Sequence, residues 1–303
     1  MKSRCLVPFH RRERYQAVFG IPVDLEFGSF FGWNQIGSHA ELGSACGPSV
    51  PRRTLICTML SPLATGIYAG IGAAGALGLA AGGYAYAAMW PASQIFGETL
   101  IAPRRAGELA LTFDDGPNPA WTPRLLDILA THDVRATFFL VGRFAQAEPD
   151  LVRRIFQAGH LIGNHSWSHP NLAFTASSRV HDELQRTGDT LAQITGQPIR
   201  YFRPPFGARR PYVLDAARVM GMIPVLWNAI AADWSDSSAE RIATRLKRKV
   251  DHLEQRGWAA NIVLHDGGHL GLGAMRGPSV AAAGQLIVSC KAAHRFVTLD
   301  TWS

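Results

Sequence analysis

The sequence predicts an α/β protein, a barrel-like parallel sheet wrapped by helices and preceded by a transmembrane segment. Two observations predict it. From residue 108 onward, short apolar runs alternate with amphipathic helical patterns. Such alternation argues a parallel sheet, and this many repeats argue a barrel. Ahead of them, residues 54–97 carry no charged side chain, a run long enough to cross a bilayer. A chain of 303 residues accommodates one large domain and an appendage of this kind.

The elements follow in order. Residues 1–53 show no sustained period and read as an irregular tail. Residues 54–90 read as a membrane anchor, with an alternative as a cleaved signal segment ending near the small residues 85–88. Gly66/Gly70 and Gly78/Gly82 recur four apart, spacing that permits close helix packing. Tyr84, Tyr86 and Trp90 suit an interfacial belt. Arg11, Arg12, Arg14, Arg52 and Arg53 favour a cytoplasmic N-terminal side and an extracytoplasmic (periplasmic or cell-surface) C-terminal domain; Arg104 and Arg105 oppose this. Met59 heads the charge-free run and stands as an alternative start. Residues 91–107, with Pro, Gly and paired Arg, read as a linker. Then come strands at 109–115, 136–141, 161–164, 200–202, 223–228, 261–264 and 296–299. Helices are expected at 122–131, 149–158, 177–194, 211–220, 238–255 and 278–294.

The balance of charge is basic, +7 with a pI near 9.6. It favours an anionic partner such as a cell-wall polymer or lipid. No nucleic-acid-binding signature is present, and no nucleic acid is expected as partner. Four cysteines, Cys5, Cys46, Cys57 and Cys290, show no Cys-x-x-Cys spacing, which gives a cysteine zinc site no support and argues against a disulfide framework.

Chemistry concentrates at strand ends. The run from Leu109 ends in Asp114-Asp115-Gly116-Pro117, a strand stopped sharply by a turn. Two adjacent carboxylates are costly unless a cation or a proton separates them. A metal with one Asp as ligand and the other free for proton transfer satisfies that demand; a plain Asp-Gly turn is the bland alternative. His165 and His169 follow the 161–164 strand, four apart. Imidazole suits zinc and its neighbours. Two His and one carboxylate leave coordination positions open for water and substrate. Arg203, Asp233-Trp234 and His265 each follow a different strand. In a β/α barrel, the carboxyl ends of the strands form the face where active sites assemble.

Five motifs in this order, Thr112-Phe113-Asp114-Asp115-Gly116, His165-Ser166-x-x-His169, Arg203-Pro204-Pro205-Phe206, Asp233-Trp234 and Val263-Leu264-His265, resemble those of the polysaccharide deacetylases of carbohydrate esterase family 4. The resemblance covers about residues 109–299. It implies a distorted (β/α) barrel of seven or eight strands and a divalent metal, usually Zn2+, with Co2+ or Ni2+ as alternatives. It implies Asp115, His165 and His169 as metal ligands, Asp114 as general base and His265 as general acid. Arg203 and Asp233 would orient and polarise that pair, with Phe206 and Trp234 walling the substrate pocket. The implied reaction removes N-acetyl groups from amino sugars of a polysaccharide (peptidoglycan, chitin-like or exopolysaccharide), releasing acetate. Esterase action on O-acetylated xylan and binding without catalysis are the alternatives. Two positions depart from the family pattern: Ile230 stands where an Asp is frequent, and Phe206 where a Tyr is frequent.

Overall fold

The computed structural model describes residues 62–303, with side chains in the first helix from Ala74 onward. The expected irregular tail at 1–53 and residues 54–61 lie outside the described residues. The described chain opens with helix α1 (Pro62–Met89). Alternating elements follow: β1 (Glu108–Gly116), α2 (Thr122–Thr131), β2 (Thr137–Leu140), α3 (Gly142–Ala147), α4 (Pro149–Gln157), β3 (Leu161–Asn164), α5 (Ser177–Thr195), β4 (Tyr201–Phe202), α6 (Pro211–Val219), β5 (Ile223–Pro224), β6 (Ala229–Ile230), α7 (Ala239–Gln255), β7 (Ala260–His265), α8 (Gly277–Cys290) and β8 (Arg295–Val297).

All the strand pairings are parallel, in the order β5-β4-β3-β2-β1-β7-β6, with β8 added against β1. Strand β1 is the hub, and its alternation sets the rest. Leu109, Leu111 and Phe113 join the core cluster shared with α2, α4, α7 and α8. Each is buried, worth about 1.5–3 kcal/mol per side chain. The intervening Ala110 belongs to the inner cluster with Phe139, Tyr201, Val225 and Val297. Thr112 and Asp114 share that inner face by the period of two. A one-residue slip of β1 would exchange these faces, so burial of the Leu and Phe side chains fixes where Asp114 points.

The curled sheet carries no ladder between β5 and β6. The expected strand at 223–228 ends at Pro224, which lacks a backbone donor. Asn228 then replaces ladder bonds with its side chain: its Oδ1 accepts from Asn261 N–H at 2.8 Å and its Nδ2 donates to the Ala259 carbonyl at 2.9 Å. The stretch expected as a linker runs along this seam. Leu100 donates to the Pro224 carbonyl and accepts from Leu226 N–H. Ile101 and Pro103 carbonyls accept from the Asn261 side chain and Ala259 N–H.

The expected membrane segment is not supported. Among the described residues no helix is long and apolar enough to cross a membrane. The charge-free run does form a helix, but Gly and Ala dominate it, and these residues carry little apolar surface. A Cβ added at Gly78 or Gly82 would meet nothing within 4 Å. The C-terminal end of α1 instead docks on the sheet domain. Ala87 and Ala88 are buried. The fully buried Arg209 guanidinium donates to the carbonyls of Ala88, Trp90, Ser93 and Gly207. A cation held at a helix C-terminus also complements its dipole.

Candidate metal and acid–base site

The ionisable residues expected at the site come to the carboxyl ends of the strands, and they form three groups around one centre. Asp114 ends the inward face of β1. Asp115 follows with φ 70°, a left-handed conformation uncommon outside glycine, though Asp is among the types that tolerate it. That turn brings its carboxylate to the same side rather than the opposite one. Asp115, His165 and His169 each offer one ligand atom, all within 4.8 Å of one another and all buried. His169 Nε2 lies 3.1 Å and His165 Nε2 3.5 Å from Asp115 Oδ1. Yet Asp115 Oδ1 has no hydrogen-bond partner of proper geometry. A buried carboxylate oxygen left unpaired is costly; three donor atoms aimed at a shared point are what a divalent cation requires. The donor set of one oxygen and two imidazole nitrogens fits zinc, cobalt or nickel.

Local structure prepares these ligands. The His165 Nδ1–H donates to the Arg203 carbonyl at 2.8 Å, which fixes the tautomer and leaves Nε2 free to ligate. Asn164 accepts from Ser166 N–H, and Ser166 Oγ accepts from His169 N–H. The buried Glu183 carboxylate on α5 takes both Ser168 N–H (2.7 Å) and Ser168 Oγ–H (2.6 Å). Burial pushes the His169 imidazolium below its ordinary pKa, against the opposing pull of Asp115. Burial alone would raise Asp115; the close imidazoles of His165 and His169, with the charge on His265, outweigh it and hold the carboxyl well below its usual range.

The second pair is Asp114 with Arg203. Arg203 is fully buried. Its Nη1 donates to Asp114 Oδ1 at 2.8 Å and to Thr112 Oγ1 at 2.7 Å, and its Nη2 to Asn261 Oδ1 at 3.3 Å. The guanidinium lies 4.1 Å over the Phe139 ring. This plane and fork suit Arg and not Lys. The other Asp114 oxygen, Oδ2, is 3.9 Å from His165 Nε2, at the edge of the ligand cluster.

The third pair is His265 with Asp233. His265 Nδ1 is 2.9 Å from Asp233 Oδ1, and His265 N–H donates to Asp233 Oδ2 at 2.8 Å. Ser279, on the first turn of α8, donates to the same Oδ2 at 2.5 Å. Burial opposes the charge on His265, but Asp233, then Asp115 and Asp114, push its pKa up to about 9. The ring therefore carries a proton at neutral pH, while His265 holds Asp233 below its ordinary value despite burial. Trp234 packs edge-on to His265 at 5.2 Å and is 51 % exposed; Phe206 packs edge-on to His169 at 4.6 Å and is 48 % exposed. Two exposed aromatic rings thus flank a buried polar centre.

Backbone strain collects here. Among the described non-glycine residues, positive φ occurs at Asp115, Ser166, His169, Phe206 and Ala232, all in these motifs or beside them, and otherwise only at Asp133. Conformations of this kind cost about 1–3 kcal/mol each and persist where the surroundings enforce them. The turns are interlocked. A Cβ added at Gly267 would overlap the Asp115 carbonyl oxygen, and one at Gly116 would come within 2.8 Å of the buried Asp266 carboxylate.

Four contributors were not read from the sequence: Thr112 as a partner of Arg203, Asn261, Ser279 and His269. The first three are single polar residues within apolar stretches, without a spacing signal. His269 follows His265 by four residues, the one signal available. Its ring stacks on that of His169, with centroids 4.8 Å apart and 21° between planes.

The family model for polysaccharide deacetylase matches residues 102–225. The chain is 36% identical over 203 residues to a peptidoglycan-N-acetylglucosamine deacetylase of Bacillus cereus, covering 66% of this chain and 69% of that one. It is 34% identical over 174 residues to a chitooligosaccharide deacetylase of Azorhizobium caulinodans, covering 57% and 80%. A family 4 acetyl xylan esterase of Clostridium thermocellum, solved in complex with a cobalt ion, is similar in structure. There the TM-score is 0.56 and the identity 30%, covering 64% of this chain and 89% of the other.

Proposed function

The chain belongs to the polysaccharide deacetylases of carbohydrate esterase family 4, a family of hydrolases, and from that premise we propose that it removes N-acetyl groups from amino-sugar residues of a polysaccharide, with peptidoglycan as the leading substrate. The relatives of B. cereus and A. caulinodans act, by their names, on peptidoglycan N-acetylglucosamine and on chitooligosaccharides. The basic balance of charge favours the anionic polymer. The observation that carries the reading is the meeting of a buried Asp115/His165/His169 cluster with an Asp–Arg pair and a His–Asp pair. Binding alone requires neither pair.

In this reading Asp115, His165 and His169 hold a divalent metal. When bound, it supplies Lewis acidity that polarises the acetyl carbonyl and makes water a competent nucleophile near neutral pH. Asp114, paired with Arg203, accepts the proton of the attacking water. A backbone N–H following the Arg203 motif would donate to the carbonyl oxygen as it gains charge. His265, kept protonated by Asp233, donates its proton to the departing amine as the C–N bond breaks. A new C–O bond forms in its place, and acetate leaves with the free amino sugar. Phe206 and Trp234 wall the pocket.

The full chain, loaded in turn with zinc, cobalt or nickel, should release acetate from peptidoglycan or chitooligosaccharides. Its rate should fall as pH rises through the range approaching 9, where His265 loses its proton. Asp233→Asn should move that limb to lower pH, because the carboxylate that raises the His265 pKa is gone. Metal-dependent release from O-acetylated xylan alone would replace the amide reading with the ester one, which the likeness to the xylan esterase keeps in view. His169→Ala should weaken zinc affinity at least tenfold, measured by competition with a chromophoric chelator; unchanged affinity removes His169 from the ligand set.

A further inference from the structure

The His169 and His265 sides of the cluster each carry an aromatic ring, and His269, on the His169 side, has no part in the chemistry above. On the His265 side stands Trp234. His265 protonates the leaving amine, so the sugar that loses its acetyl group lies on that flank. On the His169 side, that ring is covered by Phe206 and His269. Phe206 meets His169 edge-on at 4.6 Å and His269 edge-on at 5.5 Å. His269 is partly exposed.

We infer that His269, beside the pocket wall Phe206, is a substrate-contacting residue that packs against the sugar next to the one being deacetylated. The inference rests on the deacetylase reading and extends it from a single sugar to a stretch of polymer. Four observations carry it. First, the His269 ring lies nearly parallel to His169. It presents a face to its neighbour, not a nitrogen lone pair to the ligand cluster, and it is not among the converging ligand atoms. Second, the residue is held in place: Arg143 Nη2 donates to the His269 carbonyl at 2.5 Å, and Arg143 N–H donates to the Trp167 carbonyl beside the His165 motif. A pinned backbone presents the ring at a fixed height over the centre. Third, Phe206 adopts φ 59° and yet remains 48 % exposed. This bulky residue in a strained region packs edge-on against the two imidazoles and still leaves half its surface in water. Fourth, the same loop exposes Leu270, Leu272 and Met275, extending an apolar rim beyond His269. A sugar ring offers C–H faces to such a surface and hydroxyls to an imidazole nitrogen. An oligomer crossing the centre would meet this surface.

The test compares the metal-loaded full chain with its His269→Ala variant, on N-acetylglucosamine and on its β-1,4-linked tetramer. For the tetramer, KM should rise about tenfold, the scale of one hydrogen bond with its packing, while kcat stays within about twofold. For the monomer, kcat/KM should be unchanged, and zinc affinity should be unchanged. His269→Gln, which keeps a hydrogen-bonding arm, should recover part of the tetramer KM. An equal loss on monomer and tetramer, or a fall in zinc affinity, would mean that His269 only props His169 and would overturn the inference. So would no change at all. If the wild-type chain neither binds the tetramer by calorimetry nor releases acetate from it or from peptidoglycan, the deacetylase reading falls first and the subsite with it. Wild-type turnover with an indifferent His269→Ala variant removes the subsite alone.

Discussion

Replacing Asp114 with Asn is expected to lower kcat about 10²–10⁴-fold, the range that a positioned proton acceptor contributes, while metal stays bound. Asn has the same shape, and its carbonyl oxygen can still accept from Arg203 Nη1, which now reaches Asp114 Oδ1 at 2.8 Å. Its amide nitrogen cannot take a proton from water. The ligand atoms of Asp115, His165 and His169 are untouched. Zinc content by mass spectrometry, read beside acetate release, separates the outcomes. Loss of both metal and activity would mean that the two adjacent Asp residues have exchanged roles. Loss of neither would remove Asp114 from the chemistry.

Arg203→Met is expected to destabilise the fold by about 3–5 kcal/mol, because it strands the buried Asp114 carboxylate without its cation. Asp114 and Arg203 are both almost wholly buried. The loss extends past the ion pair, since the same guanidinium serves Thr112 and Asn261 and covers Phe139. Urea unfolding of the full chain measures it. The double variant Asp114→Asn/Arg203→Met should regain part of the loss, since no lone buried charge remains. Arg203→Lys should recover little, because an ammonium cannot reproduce the planar fork. A single-variant loss below about 1 kcal/mol would show that water reaches the pair and that burial does not govern it.

Much of the sheet domain was legible because its strands are apolar runs closed by turn formers. The expected 161–164 strand coincides with β3, and the expected 122–131 helix with α2. The site was legible for the same reason: Asp114, His165, Arg203 and His265 each stand where an apolar run ends. What escaped had no pattern to betray it. Helix α3 is six residues with no side-chain cap. The two-residue β6 hides behind Asn228, whose side chain imitates a strand. Asn261 and Ser279 do their work from inside apolar runs, where a lone polar residue gives no period. The expected anchor at 54–90 finds no support among the described residues for a physical reason: Ala and Gly dominate the helix at 62–89 and contribute little hydrophobicity.

The interlock of Gly267 with Asp115 bears on how tolerance to substitution is to be interpreted. A side chain at 267 would strike the carbonyl of a residue whose conformation is already strained, and relief would drag the carboxylate away from the two imidazoles. A saturation scan scored on activity should therefore mark Gly267 as intolerant of every replacement, Ala included, on a par with the ionisable residues around it. Its intolerance would carry no chemical role. It would record the clearance between two loops, so a ranking of positions by mutational sensitivity here mixes the groups that react with the empty space that lets them meet.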